Sequence, residues 1–134
     1  MSAAAPSELR AGLIGAGMIS LYHLRAWDAA PGARVVAICD LDETKARARA
    51  TEFGIERVYT DPARMFADGG FELVDIAASV DAHDPLTRMA ADHGVHVMLQ
   101  KPMTRTVAEA ENLVRDVGDR VRFMVHENYR FRPH

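Results

Sequence analysis

Apolar runs of strand length alternate with helix-periodic stretches along this whole chain, and that alternation limits its folds more than any single motif does. "LRAGLIG" precedes a helical pattern from Met18 to Ala30, and "ARVVAIC" precedes another from Glu43 to Phe53. A short third strand is expected around Val58 and Tyr59, followed by a brief helix in "DPARMF" with Asp61 as cap and Pro62 in its first turn. "LVDIAA" reads as strand four. The next helix is expected to open near Asp84, with Pro85 in the first helical position, Leu86, Met89 and Ala90 on one stripe, and a stop at Gly94. "VHVML" is strand five. Thr106 and Glu109 have capping-box spacing, and Val107, Ala110, Leu113, Val114 and Val117 keep helical period up to Gly118. "VRFMVH" is strand six. Strands that are continuously apolar, not alternating, belong to a parallel sheet covered on both faces. The expectation is an α/β, doubly wound parallel sheet with strand order 3-2-1-4-5-6.

The 134 residues fit one domain, placed at 8–127 between a flexible start (1–7) and an aromatic and arginine-rich tail (128–134). A net charge of -3, without a basic block, argues against nucleic acid as a partner. No apolar run nears the roughly 18 residues of a membrane span, and "MSAAAPSELR" lacks secretory-signal character, so a cytoplasmic protein is expected. Cys39 lies in an apolar run and reads as a buried small hydrophobe, not a catalytic thiol.

Strand one runs into "GAGMIS", where Gly15, Gly17 and Ser20 occupy the three small-residue positions of a dinucleotide-binding fingerprint. Gly15 would permit the tight turn, Gly17 would let a pyrophosphate approach, and the amides of Met18 and Ile19 would face the anion. The competing reading is a glycine turn that only packs. Asp40 ends strand two, 25 residues after Gly15 (40 − 15), near the spacing at which a carboxylate meets the adenosine ribose. Such a carboxylate repels a 2′-phosphate, which favours NAD over NADP; Asp42 reads as a helix cap instead. Asp81, His83 and Asp84 cluster after strand four, but no second ligand group stands at metal-site spacing, so no metal is expected. His83 reads as a local hydrogen-bonding group bordering the cofactor crevice. His23, His93, His96 and His134 receive no role. Lys101, behind strand five and followed by Pro102, would emerge where ligands bind in open α/β sheets; the alternative is a surface lysine in a turn.

Taken in order, "GLIGAGMISLYHLRAW", "LVDIAASVDAH", "HVMLQKPMT" and "HENYRFRP" resemble the glucose-fructose oxidoreductase, inositol dehydrogenase and rhizopine-catabolism (Gfo/Idh/MocA) family. The resemblance implies a Rossmann domain whose second, substrate-binding α/β domain is absent, with 128–134 as the start of the link to it. It implies oxidation or reduction of sugar- or cyclitol-like alcohols with NAD or NADP. The family's Glu-Lys-Pro motif maps to Gln100, Lys101 and Pro102, making Lys101 the catalytic candidate and all three cofactor neighbours. Glutamine at position 100 removes the usual carboxylate beside Lys101. Ala78, Ser79 and Val80 stand where many members have Thr-Pro-Pro, leaving contacts through Ser79 and the backbone. The remaining catalytic aspartate and histidine, and most of the substrate pocket, belong to the second domain in this family, so little or no turnover is expected of these residues alone. Members often associate through that second domain, which leaves monomer and homo-oligomer both open. Two other readings compete with the oxidoreductase: a naturally short, non-catalytic dinucleotide-sensing module, and S-adenosylmethionine-dependent methyl transfer, which shares the glycine loop but leaves "QKP" unexplained.

Overall fold

The computed structural model describes residues 7–133. The expected flexible start, apart from Ser7, lies outside the described residues. Six strands form one sheet: β1 (Leu9–Ile14), β2 (Ala33–Cys39), β3 (Arg57–Tyr59), β4 (Leu73–Ile76), β5 (His96–Gln100) and β6 (Phe123–His126). All five strand pairings are parallel, in the order β3-β2-β1-β4-β5-β6. This is the order expected from the sequence.

Five α-helices supply the crossovers: α1 (Met18–Ala29), α2 (Glu43–Phe53), α3 (Pro62–Asp68), α4 (Val80–Asp92) and α5 (Val107–Val117). Their starts follow local chemistry. Asp42 accepts hydrogen bonds from the Thr44 and Lys45 amides, Asp61 from the Ala63 amide, and Thr106 and Glu109 form a complete capping box. The start of α4 corrects the sequence expectation. It opens at Val80 with Ser79 as N-cap, so Pro85 lies inside the helix and not at its first position. The missing Pro85 amide removes only the bond to Asp81, close to the helix start, and the buried stripe Leu86, Thr87, Ala90 and Ala91 holds the rest of the helix on the sheet.

The core has two main layers. On one face, Leu13 and Ile38 pack with Leu24 of α1 and Ala50 of α2. On the other, Val74, Ile76, Val97 and Leu99 pack with Met65 and Phe66 of α3 and Leu86 and Ala90 of α4, extended by Leu113 and Val117 of α5. Each fully buried leucine or isoleucine contributes about 1.5–3 kcal/mol. Along β5, Val97 and Leu99 are buried while His96, Met98 and Gln100 on the opposite face are only half-buried. Beyond α1, that opposite face of β4, β5 and β6 opens into a pocket of about 430 Å³. After β6, a short 3₁₀ turn (Asn128–Phe131) is capped by Glu127 and exposes Tyr129 and Phe131.

Candidate cofactor site and buried polar cluster

Parallel strands bring the loops after β1, β2, β4 and β5 to one edge of the sheet; Gly15, Gly17, Asp40, Ser79, Lys101 and Pro102 lie in those loops, with Met18 and Ile19 opening α1, His83 in the first turn of α4 and Gln100 ending β5. Gly15 has φ +102, and a Cβ there would lie 2.5 Å from the Ala77 carbonyl oxygen. Only glycine lets the first turn pass that close to β4. Gly17 is different: its φ is -71, and a Cβ would meet nothing within 4 Å. Its absent side chain faces open space, which is the space a pyrophosphate needs.

Gly17 is also the N-cap of α1, with no side-chain cap, and no acidic residue occupies the first turn. The leading amides of α1, including Met18 and Ile19, therefore present an unneutralised positive helix end. Met18 is 81% exposed there. Ser20, in the third fingerprint position, is buried; its hydroxyl donates to the Gly17 carbonyl at 2.5 Å and accepts from Arg49 Nε at 3.3 Å. A small side chain thus clamps the loop to α2.

The Asp40 carboxylate accepts from the Ala16 amide at 2.7 Å and from the Asp42 amide at 2.8 Å. It ties the glycine loop to the end of β2 while each oxygen keeps a second lone pair for an incoming hydroxyl. Ser79 is exposed at the uncapped N-terminus of α4, a second set of free amides on the same edge. Two uncapped helix starts beside a carboxylate fit a ligand with a phosphate centre and a diol.

His83 does not offer a free polar atom to the crevice. It is 1% exposed; Nδ1 lies 2.9 Å from the Pro102 carbonyl oxygen and Nε2 lies 3.1 Å from that of Ala78. The ring joins the ends of β4 and β5 and supports the Lys101–Pro102 turn from behind. Lys101 itself is exposed, its peptide bond to Pro102 is cis, and no carboxylate pairs with its ammonium among the described residues.

Beneath Lys101 the structure gathers a group that the sequence left scattered. Trp27 Nε1 donates to Asp75 at 2.9 Å, His23 Nδ1 lies 2.9 Å from the same carboxylate, Gln100 Nε2 lies 3.0 Å from His23 Nε2, and the Lys101 amide donates to Gln100 Oε1 at 2.8 Å. His126 stacks on His23 with ring centroids 4.9 Å apart, and its Nε2 is buried without a partner. Burial pushes the His126 imidazole below its ordinary value; Asp75 opposes this and His23 adds to it. His23, Asp75 and His126 have the side-chain types of a metal site and their ligand atoms lie within 4.8 Å of one another. However, both nitrogens of His23 and both oxygens of Asp75 are already committed to hydrogen bonds. This group, with Met98 and Tyr22, lines the 430 Å³ pocket, which meets the cofactor edge only at Ile19, Gln100 and Lys101. Neither Gly15, Gly17 nor Asp40 lines it, so the pocket and the glycine-loop site are adjacent and separate.

Comparison with known proteins agrees with this geometry. D-apiose dehydrogenase from Rhizobium rhizogenes is 42% identical over 126 residues, covering 93% of this chain and 36% of that protein. Inositol 2-dehydrogenase 1 from Saccharopolyspora erythraea is 33% identical, covering 93% of this chain and 38% of its own length. The crystal structure of an Agrobacterium radiobacter oxidoreductase, in complex with NAD+, L-tartaric acid and magnesium, superposes with a TM-score of 0.90 at 42% identity, over 93% of this chain and 37% of that one. The chain thus spans somewhat over a third of the length of these relatives. Residues 9–126 match the Gfo/Idh/MocA model, and the chain belongs to that oxidoreductase family, with its NAD-binding Rossmann fold.

Proposed function

We propose that these residues form the cofactor-holding domain of an NAD-dependent enzyme that moves hydride between nicotinamide and a secondary alcohol carbon of a sugar- or cyclitol-like substrate. The observation that supports it most is the open face of Gly17 at the uncapped start of α1, flanked by the Asp40 carboxylate. In this reading the α1 amides bind the pyrophosphate, and Asp40 accepts from the ribose hydroxyls and disfavours a 2′-phosphate. When bound, NAD supplies the hydride acceptor or donor at its nicotinamide ring.

The protein's own contribution at the reacting end is Lys101. Its ammonium, unpaired with any described carboxylate, is free to donate a hydrogen bond to the alcohol or carbonyl oxygen and to move a proton there. Gln100 and Pro102 fix the turn that presents it. In this reading the substrate pocket, and any association between copies, belong to the part of the relatives' length that these 134 residues do not cover, and the enzyme works in the cytoplasm. Calorimetric titration tests the cofactor assignment: NAD should bind in preference to NADP. Tight binding of S-adenosylmethionine with none of NAD would replace the reading with methyl transfer.

A further inference from the structure

We infer that His23 is a positioning residue: anchored on the buried Asp75 carboxylate, it sets the Lys101 turn through the side-chain amide of Gln100. The inference rests on the oxidoreductase reading for its consequence, because that reading puts Lys101 beside the reacting oxygen.

The directions of the hydrogen bonds are fixed from both ends. Trp27 Nε1–H can only donate, and the Asp75 carboxylate only accepts, so His23 Nδ1 carries the proton that faces Asp75. At the other end the Lys101 backbone amide can only donate, so Gln100 Oε1 accepts it. The Gln100 NH₂ is then left facing His23 Nε2, which must accept. The two inferences meet at one bond and agree. Four residues on α1, β4 and β5 thus form a directed chain ending at the backbone of the catalytic candidate.

Packing alone does not account for it. Asp75 stands between Val74 and Ile76 in β4 and is 0% exposed. Burying a carboxylate is costly unless hydrogen bonds compensate, and an apolar residue would fill the strand at less expense. Gln100 is the residue type the chain needs. A glutamate there would set a second carboxylate against His23, and Nε2 would then have to bear a proton too, between Asp75 and position 100. The groups facing the ring are Asp75, Gln100 and the stacked His126, with Lys101 next along the turn. Glutamine instead of the family's glutamate therefore leaves His23 donating from Nδ1 alone, with Nε2 as an acceptor, while the Lys101 amide keeps its own acceptor.

The test is nitrogen-15 NMR of the imidazoles and backbone of the 134-residue chain, without cofactor. In the wild type near neutral pH, His23 should show a proton-bearing Nδ1 and a bare Nε2. Gln100→Glu should protonate both nitrogens, and Gln100→Leu should speed exchange of the Lys101 amide about tenfold, the loss of one hydrogen bond. His23→Gln, which keeps an acceptor toward Gln100, should preserve more of that protection than His23→Leu. A wild-type His23 protonated at Nε2, or Lys101 exchange unchanged in Gln100→Leu, would overturn the inference. Failure of NAD to bind the wild type would instead remove the oxidoreductase reading, and the His23 spectrum would still decide the hydrogen-bond chain.

Discussion

Gly15 and Gly17 are two residues apart in one loop, yet alanine should do opposite things at them. At Gly15 the added Cβ would lie 2.5 Å from the Ala77 carbonyl oxygen, 2.7 Å from its carbon and 2.9 Å from the Ala78 nitrogen, all backbone atoms of the neighbouring strand's exit. Positive φ costs alanine about 1–2 kcal/mol, and forcing β1 and β4 apart costs about 1–3 kcal/mol more. The sum, about 2–5 kcal/mol, is a large part of the roughly 5–15 kcal/mol that holds a domain folded. Urea denaturation followed by circular dichroism should show it as a lower midpoint, and thermal melting as a fall of roughly 10 °C or more. At Gly17 the Cβ meets no atom within 4 Å and φ is -71, so Gly17→Ala should leave stability within about 0.5 kcal/mol of wild type. The methyl group would instead occupy the approach to the α1 amides, and NAD affinity should fall about tenfold or more, equivalent to about 1.4 kcal/mol. Wild-type stability in Gly15→Ala would refute the packing reasoning, and wild-type NAD affinity in Gly17→Ala would refute the pyrophosphate assignment.

Asp40→Asn should reduce the preference for NAD over NADP, read by calorimetry with both; an unchanged ratio would remove the ribose role. Thr106→Ala should destabilise by about 1 kcal/mol through loss of the capping box while leaving NAD affinity unaltered. Cys39 is buried, and burial, then Asp40 and Asp61, raise its thiol pKa to about 12; a thiol reagent should therefore label it only when the chain is unfolded, and rapid labelling of the native protein would contradict that burial. His126 is lowered in the folded state, so the unfolded chain binds its proton first as pH falls. Its contribution is intact above the ordinary histidine value of about 6.5 and is lost below it. His126→Phe should flatten the decline in stability across that window, as measured by urea midpoints at successive pH values.

The fold was legible because each strand and each cap is a local signal. β2 and α2 follow the expected limits, Asp61 and Thr106 cap as their spacing predicted, and the parallel order follows from apolar strands joined by helices. The start of α4 was misplaced because Pro85 is a stronger helix-start signal than Ser79, and the covered stripe from Leu86 to Ala91 tolerates a proline one turn in. The buried cluster escaped because His23, Asp75, Gln100 and His126 come from four separate elements and no spacing connects them. A signal was present nonetheless: "LVDIAA" puts a carboxylate in the middle of an apolar strand, and such a group needs hydrogen-bond partners from elsewhere in the chain. The spacing put His83 beside the crevice, and its burial and its carbonyl neighbours make it a support for the Lys101 turn.

Backbone amide NMR of the 134-residue chain during titration with NAD tests the central claim most directly. The account predicts saturable shifts concentrated at Gly15, Gly17, Met18 and Ile19, with further shifts at Asp40, Ser79 and Lys101. An unchanged spectrum, or shifts confined to the separate pocket around Trp27 and Met98, would contradict it.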